Sequence, residues 1–261
     1  MLLAIDVGNS NVVFGLHDRT TWQHVWRLET HPLLPSADYA VFVRTQLLEA
    51  GLGLSDVRGA VLCTVVPDLR EPLSTMTRDL LGLEALVMGP DLYPHLPIRT
   101  QRPFEIGADL MANALAAWER FRSAVLVVDF GTALTFTVVS GGGDVVAVNI
   151  VPGLKTALRA LAGNTAQLPE VPLELPTSVL GRDTVHAIQA GILYGYTDLV
   201  SGMIDRMQAE LGESCRVLAT GGLSTILTNL QPRFEVVDRH LTLDGLRLAE
   251  GYVRARRASE E

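Results

Sequence analysis

The alternation of apolar and polar positions along the chain predicts a mixture of strands and helices. Alternating or continuous apolar runs predict strands near 2–7, 12–17, 22–28, 58–65, 84–88, 124–130, 133–140, 144–151 and 216–220. Apolar residues spaced three or four apart predict helices near 37–50, 68–81, 108–121, 154–163, 184–211 and 242–256. Strands come in groups of about three, and helices then alternate with further strands, which is typical of an α/β protein.

Two stretches of the chain repeat one pattern. "LLAIDVGNSNVVFGL" begins at Leu2, and "VLVVDFGTALTFTVV" runs from Val125 to Val139. In each, an apolar strand ends in Asp-x-Gly, and a second apolar strand follows a small polar residue. The equivalent acids, Asp6 and Asp129, are 123 residues apart, about half the chain. The repeat predicts two copies of one domain.

The repeated acids have two interpretations. In the first, Asp6 and Asp129 cap their turns by accepting hydrogen bonds from backbone N–H groups. In the second, the N–H groups of Gly8–Asn11 and Gly131–Ala133 bind phosphate oxygens, and the two carboxylates hold a divalent cation directly or through water. A third stretch, "VLATGGLSTIL" at 217–227, predicts a strand, a Gly-Gly turn and the start of a helix. Together the three elements predict a nucleotide held between duplicated domains.

Composition narrows the class of protein. The 261 residues are 48% hydrophobic and 19% charged, enough for a substantial core, and the net charge of −8 with scattered basic residues argues against nucleic-acid binding. No run approaches the roughly 18 apolar residues of a membrane span, and no basic segment precedes the first apolar one, so we expect a cytoplasmic protein. Lys155 is the only lysine, which excludes a lysine-based phosphate loop. Cys63 and Cys215 are predicted to be buried, reduced thiols.

An ordered set of motifs carries a family resemblance. The motifs are "DVGNS" (6–10), "TVVP" (64–67), "GADLMAN" (107–113), "DFGTALT" (129–135), "PGL" (152–154), "QLP" (167–169) and "TVHAIQAGILYG" (184–195). The phosphate and adenosine turns resemble those of the acetate and sugar kinase, Hsp70 and actin superfamily. The order and spacing of the whole set resemble, more narrowly, the type III pantothenate kinases, which phosphorylate the primary hydroxyl of pantothenate with ATP in the first step of coenzyme A synthesis.

The resemblance implies a fold and a set of partners. It implies two duplicated RNase H-like, actin-like domains at 1–118 and 119–261, with a nucleotide cleft between them and a last helix that is able to pack back on the first domain. It also implies ATP with Mg²⁺, a monovalent cation (K⁺ or NH₄⁺), pantothenate as acceptor, and a homodimer. The small residues Ala187, Gly191, Gly195 and Gly202 in the predicted helix 184–211 permit close helix contact, although such a contact also occurs within one chain.

The resemblance also implies roles for individual residues. The ATP-binding residues would be Asp6, Val7, Gly8, Asn9, Ser10, Asn11, Val12, Val13 and Thr132. Asp6 would meet Mg²⁺, and Asp129 would bind the monovalent cation. Asp109 would be the general base, and the acceptor would meet Thr100, Gly107, Ala108, Asp109, Leu110 and Thr184. From the residues alone, Asp109 has a second interpretation, because an acid in the first turn of a helix stabilises its positive end.

The chain departs from the family pattern around the acceptor. Leu110 stands where the family usually has Arg, Thr100 where it has Tyr, and Val148-Asn149 where it has Gly-Gly. The nucleotide-binding motifs therefore match the family pattern more closely than the acceptor-binding motifs do. Two alternatives therefore stay open: a kinase of the same superfamily with another small hydroxyl-bearing acceptor, and a non-catalytic nucleotide-binding regulator.

Overall fold

The computed structural model describes residues 1–260, which divide into two compact units. The first unit is Met1–Ala116 with the helix Leu241–Glu260, and the second is Ala117–His240. The α-helices are α1 (Ser36–Glu49), α2 (Arg70–Leu81), α3 (Ala108–Phe121), α4 (Leu154–Gly163), α5 (Thr184–Leu211) and α6 (Leu241–Glu260). None of these helices is long and apolar enough to cross a lipid bilayer. The domain boundary at residues 118 and 119 stays a prediction.

The first unit is built on a sheet with strand order β3-β2-β1-β4-β5. These strands are β1 (Leu2–Val7), β2 (Asn11–His17), β3 (Trp22–Glu29), β4 (Gly59–Thr64) and β5 (Leu86–Val87), and the two-residue strand β6 is Arg99–Thr100. β1 pairs antiparallel with β2 and parallel with β4. β1 is the central strand of this sheet. Residues of α1 and α2 form one core with it, and α6 also contacts β1 and β4. A strand that is covered in this way is nearly continuously apolar.

The second unit repeats this strand order. Its strands are β7 (Val125–Phe130), β8 (Ala133–Val139), β9 (Asp144–Pro152), β10 (Arg216–Thr220) and β11 (Val236–Val237). β9, β8 and β7 form an antiparallel meander, and β10 and β11 extend it in parallel, as β4 and β5 extend β1 in the first unit. The core lies where β7 and β8 meet α5, with Val128, Phe136 and Leu193 fully buried. The duplication predicted from the two Asp-x-Gly stretches is therefore confirmed in the topology.

Most predicted strands and helices are found within a few residues of their expected ends. The helix start predicted after the Gly-Gly turn is wrong. Residues 221–227 form successive turns, followed by a 3₁₀ helix, Thr228–Arg233. In these turns Ser224 N donates to Gly221 O and Ile226 N to Leu223 O, so bonds to the third residue replace those of an α-helix.

The prediction that both cysteines are buried is only partly correct. Cys215 is half-buried just before β10, whereas Cys63 is fully buried in β4. Burial and then the nearby Glu213 raise the pKa of Cys215 to about 11. Both thiols are free.

Candidate active site

The turn between β1 and β2 is held in place by a buried threonine. The N–H of Gly8 donates to Asn11 O at 2.9 Å, which closes the turn. Thr30 is fully buried and donates from Oγ1 to Gly8 O at 2.7 Å, while its N–H donates to Ser10 O at 3.1 Å. Asn9 and Ser10 remain exposed. Thr30 was not predicted from the sequence, because it lies just after β3 and reaches the turn only in the folded sheet.

Asp6 stands beside a buried thiol. The parallel register of β1 and β4 pairs Asp6 with Cys63, so the two side chains lie on the same face of the sheet. Burial raises the pKa of the Cys63 thiol well above its ordinary value, and the carboxylates of Asp6 and Asp109 raise it further. The thiol therefore stays protonated and is no nucleophile. Both acids predicted for the first unit therefore contribute to the raised pKa of this one buried thiol.

Asp109 occupies the first turn of α3. Its Oδ1 accepts a hydrogen bond from Leu110 N at 2.8 Å. Burial raises the pKa of the Asp109 carboxyl, and the hydrogen bonds from the backbone N–H groups of Leu110 and Asp109 lower it in part. A carboxylate with a raised pKa accepts a proton more readily than an exposed one, which is the property a general base needs.

The other predicted acceptor residues of the first unit surround this turn in sequence. Thr100 is half-buried in β6, and Gly107 and Ala108 lead into α3. Leu110 is only 8% exposed, so it adds an apolar surface next to Asp109 and no hydrogen-bond donor from its side chain.

The second turn, after Asp129 in β7, leaves Gly131 and Thr132 exposed. The N–H of Gly131 donates to Ala133 O at 3.1 Å. Thr132 O accepts from Gly153 N at 3.0 Å and from Thr156 Oγ1 at 2.7 Å. The "PGL" motif and the first turn of α4 therefore hold this exposed turn in place.

Two glycines bring neighbouring segments against this turn. Gly221 has φ +90°, and a Cβ on it would lie 2.5 Å from Asp129 Oδ1 and 2.7 Å from the Phe130 backbone. A Cβ on Gly153 would collide with the carbonyl oxygens of Gly131 and Thr132. The Gly-Gly turn, the "PGL" turn and the Asp129 turn therefore meet within the second unit.

Thr184 lies elsewhere in the second unit, at the start of α5. Asp183 caps this helix by accepting from His186 N at 2.9 Å. Thr184 lines a cavity of about 460 Å³ together with residues of α4, α5 and the intervening loop. The cavity lining comprises Leu161, Leu168, Thr184, Ala187, Ile188, Gly191 and Ile192.

Comparison of the fold with solved structures shows actin-like and sugar-kinase relatives. MreB 5 of Spiroplasma citri, solved with AMPPNP, superposes with a TM-score of 0.56 at 10% identity, covering 100% of this chain and 98% of that one. A ROK family glucokinase from Streptomyces griseus, solved with glucose and AMPPNP, gives 0.52 at 12% identity, covering 96% and 99%. At such identities the likeness establishes the fold alone. The expected two-domain actin-like fold is confirmed.

Comparison of the sequence identifies the family. The family model described as type III pantothenate kinase matches residues 2–206. The type III pantothenate kinase of Treponema pallidum (strain Nichols) is 44% identical over 251 residues, which covers 94% of this chain and 92% of the relative. A match of this extent, on a chain with the two Asp-x-Gly turns and Asp109 described above, shows that the chain belongs to the type III pantothenate kinases.

Proposed function

We propose that this protein transfers the γ-phosphoryl group of ATP to the primary hydroxyl of pantothenate, giving 4′-phosphopantothenate, the first step of coenzyme A synthesis. The observation that carries the proposal is the pair Asp6 and Asp109. Asp6 pairs with the buried Cys63 across β1 and β4, both carboxylates add to the rise that burial causes in the pKa of that thiol, and burial raises the pKa of Asp109, in a chain of this family. One acid stands at a phosphate turn and the other at a helix start, which suits one metal-facing and one proton-accepting carboxylate.

ATP is held by both phosphate turns in this proposal. The N–H groups along Asp6–Val13, including Val7, Asn11 and Val12, face its phosphates, and Thr132 contacts ATP from the second unit. Magnesium prefers one or two carboxylates together with substrate phosphates and water, and Asp6 fits that pattern. The metal supplies neutralisation of phosphate charge during transfer. Asp129, with its turn carbonyls, offers the oxygen ligands that a monovalent cation, K⁺ or NH₄⁺, prefers.

The acceptor is activated by Asp109. This carboxylate orients the primary hydroxyl of pantothenate and accepts its proton as the oxygen bonds to the γ-phosphorus, while the bond from that phosphorus to the bridging oxygen breaks and ADP leaves. Thr100, Gly107, Ala108, Leu110 and Thr184 line the acceptor site. We propose pantothenate and ATP as the partners, with no nucleic acid or membrane, and the cytoplasm as the location, which suits an enzyme of small-molecule metabolism.

A homodimer completes the proposal. Gly191, Gly195 and Gly202 of α5 have open space where a Cβ would stand. Val185, in the first turn of the same helix, is 42% exposed, and the cavity lined by Thr184 also includes Gly191. A second copy packed on this face of α5 would cover apolar surface that is otherwise exposed to water.

The proposal is tested by incubating the protein with ATP, Mg²⁺ and K⁺, with and without pantothenate, and detecting 4′-phosphopantothenate by mass spectrometry. Product that requires all components supports the assignment. ATP consumption with another hydroxyl compound but never with pantothenate would favour the second candidate, a kinase for a different small acceptor. Leu110 is the reason to test this second candidate, because its side chain donates no hydrogen bond where the carboxylate of the acceptor is expected.

A further inference from the structure

The last helix, α6, approaches α3 so closely that their backbones touch. Gly245 lies within α6, and a Cβ added to it would stand 2.0 Å from Ala112 O and 2.4 Å from Ala112 C, far inside van der Waals contact. These atoms belong to the backbone of α3 and cannot rotate away as a flexible side chain could. A glycine inside a helix is less stable than an alanine there, so the close approach of α3 explains why glycine occupies this position.

A hydrogen bond joins the same two helices beside this contact. Thr242 Oγ1 donates to Asn113 Oδ1 at 2.9 Å, although the two residues are 129 positions apart in the chain, and Asn113 is 1% exposed. Thr242 and Gly245 are three residues apart in α6 and therefore lie on one face of it. Asn113 follows Asp109 by four residues, so these two share a face of α3 about 6 Å apart along its axis. α6 therefore holds α3 one turn away from Asp109.

α6 is itself fixed to the sheet of the first unit. It contacts β1, which carries Asp6, and also β4. Asp244 Oδ1 accepts from Trp22 Nε1 at 2.9 Å, and a Cβ on Gly15 of β2 would lie 2.8 Å from Leu243 Cδ1. One helix therefore contacts both the strand of the proposed metal-facing carboxylate and the helix of the proposed proton acceptor.

We propose that Thr242 and Gly245 are positioning residues, which hold α3 against α6 and so set where Asp109 stands relative to Asp6. The assignment rests on the proposed function, in which Asp6 faces the metal and Asp109 takes the proton. Catalysis of phosphoryl transfer depends mainly on positioning and electrostatics, and a misplacement of about 1 Å can lower the rate about 10²-fold. Because neither residue is assigned a substrate contact, the loss belongs in kcat and leaves KM for ATP unchanged.

Gly245→Ala tests the backbone contact. The added methyl group forces α3 and α6 apart, so we expect kcat to fall about 10- to 100-fold with KM for ATP unchanged. Gly251→Ala is the matched control, because Gly251 is an exposed glycine of the same helix with no atom within 4 Å of an added Cβ. It should keep the kcat of the wild type.

A pair of substitutions at Thr242 tests the hydrogen bond, and it serves equally if Gly245→Ala fails to fold. Thr242→Val keeps the shape of the side chain and removes the donor to Asn113. We expect kcat to fall about 3- to 10-fold, the equivalent of one neutral hydrogen bond. Thr242→Ser retains the hydroxyl and should retain most of the wild-type kcat.

The Asp109→Asn background shows whether Thr242 acts through Asp109. Thr242→Val should lower the residual kcat of Asp109→Asn no further, because the effects of residues that act on one group are not additive. An equal factor in both backgrounds, a wild-type kcat in Thr242→Val, or a Thr242→Ser variant as impaired as Thr242→Val would overturn the assignment and leave the proposed function standing. A wild-type protein inactive on pantothenate would overturn the proposed function and this assignment with it.

Discussion

The proposed role of Asp109 as a general base is tested by substitution and by the pH dependence of kcat. Asp109→Asn should lower kcat by about 10²–10⁴, the usual range for losing a general base, with little change in ATP affinity. In the wild type, kcat should fall with acid at a higher pH than an ordinary aspartate near pKa 3.9 would give, because burial favours the protonated form. Steady-state kinetics from pH 4 to 9 give both results, and activity within a few-fold of wild type would show that Asp109 is structural.

The same substitution, Asp109→Asn, should also change how the stability of the protein depends on pH. The folded pKa of Asp109 is raised above the unfolded value, so the folded state binds its proton more tightly. Stability from this group is fully present below the unfolded pKa and is lost as pH rises through the folded pKa. Asn carries no such dependence. The melting temperature of Asp109→Asn, relative to wild type, should therefore increase from acid to neutral pH, and a flat difference would contradict the burial of the charge.

Asp6→Asn separates the metal role of Asp6 from turn capping. Loss of a metal-facing charge should weaken use of Mg²⁺–ATP by several kcal/mol while the melting temperature changes little. Asp18 is the control, because its Oδ1 caps the next turn by accepting from Thr20 and Thr21 N–H groups at 2.8 and 3.0 Å. Asp18→Asn should leave nucleotide use unchanged. A large drop in melting temperature for Asp6→Asn with unchanged Mg²⁺–ATP affinity would favour capping.

The acceptor carboxylate needs a cation that Leu110 cannot provide. Arg99 and Arg102 flank Thr100 and are the two candidates, and Arg102 pairs with Glu105 at 3.0 Å on the surface. Replacing the arginine that holds the carboxylate, by Arg99→Ala or Arg102→Ala, should raise KM for pantothenate about 10- to 150-fold, the range for a charge-assisted hydrogen bond. If neither arginine matters and Leu110→Arg lowers a poor KM, the wild type binds pantothenate weakly instead. A tight KM insensitive to all three changes would refute both explanations.

At the scale of elements, the hydroxyl of Thr30 holds the turn between β1 and β2, the proposed first phosphate turn. Thr30→Val keeps the shape but removes the donor to Gly8 O, so we expect a stability loss of about 0.5–1.5 kcal/mol and a higher KM for ATP. Thr30→Ser retains the hydroxyl and should retain most of the ATP affinity. Urea unfolding and ATP kinetics of the two variants give the comparison. Equal KM values for ATP in both variants would show that the turn keeps its shape without this bond.

Strands and helices were largely predictable because burial imposes a local period on the sequence. The central strands β1 and β7 are covered on both faces and therefore read as continuous apolar runs. The segment after Gly221 was not predictable, because its fold depends on a bond from Leu223 N to Phe130 O, 93 residues away in the chain. β6 and β11 each have two residues, too few to show a period.

Some residues of the candidate site could be predicted from local sequence patterns, and others could not. Asp6, Asp109 and Asp129 were found because each stands in a motif with a recognisable spacing. Thr30 was missed because no local pattern marks it: its hydroxyl donates to a turn 22 residues earlier. Side chains that position or contact a site from another element carry no sequence signal of their own.

At the scale of the whole molecule, α5 predicts self-association. Gly191→Glu places a charged side chain on the open face of α5, beside the cavity containing Thr184. It should convert a dimer to a monomer of 28.3 kDa, because a buried, unpaired charge opposes a close helix contact. Replacing an exposed helical glycine also favours the helix by about 0.5–1 kcal/mol, so the variant should still fold.

Gly251→Glu supplies the control for this test. Gly251 is an exposed helical glycine in α6, also with open space beside it, so it gains the same charge and the same helix propensity on another surface. Light scattering at micromolar concentration should show a dimer for wild type and for Gly251→Glu, and a monomer only for Gly191→Glu. A wild-type mass near 28 kDa would contradict the dimer. A dimer that persists in Gly191→Glu would move the interface away from this face of α5, and its open glycines would then need another explanation.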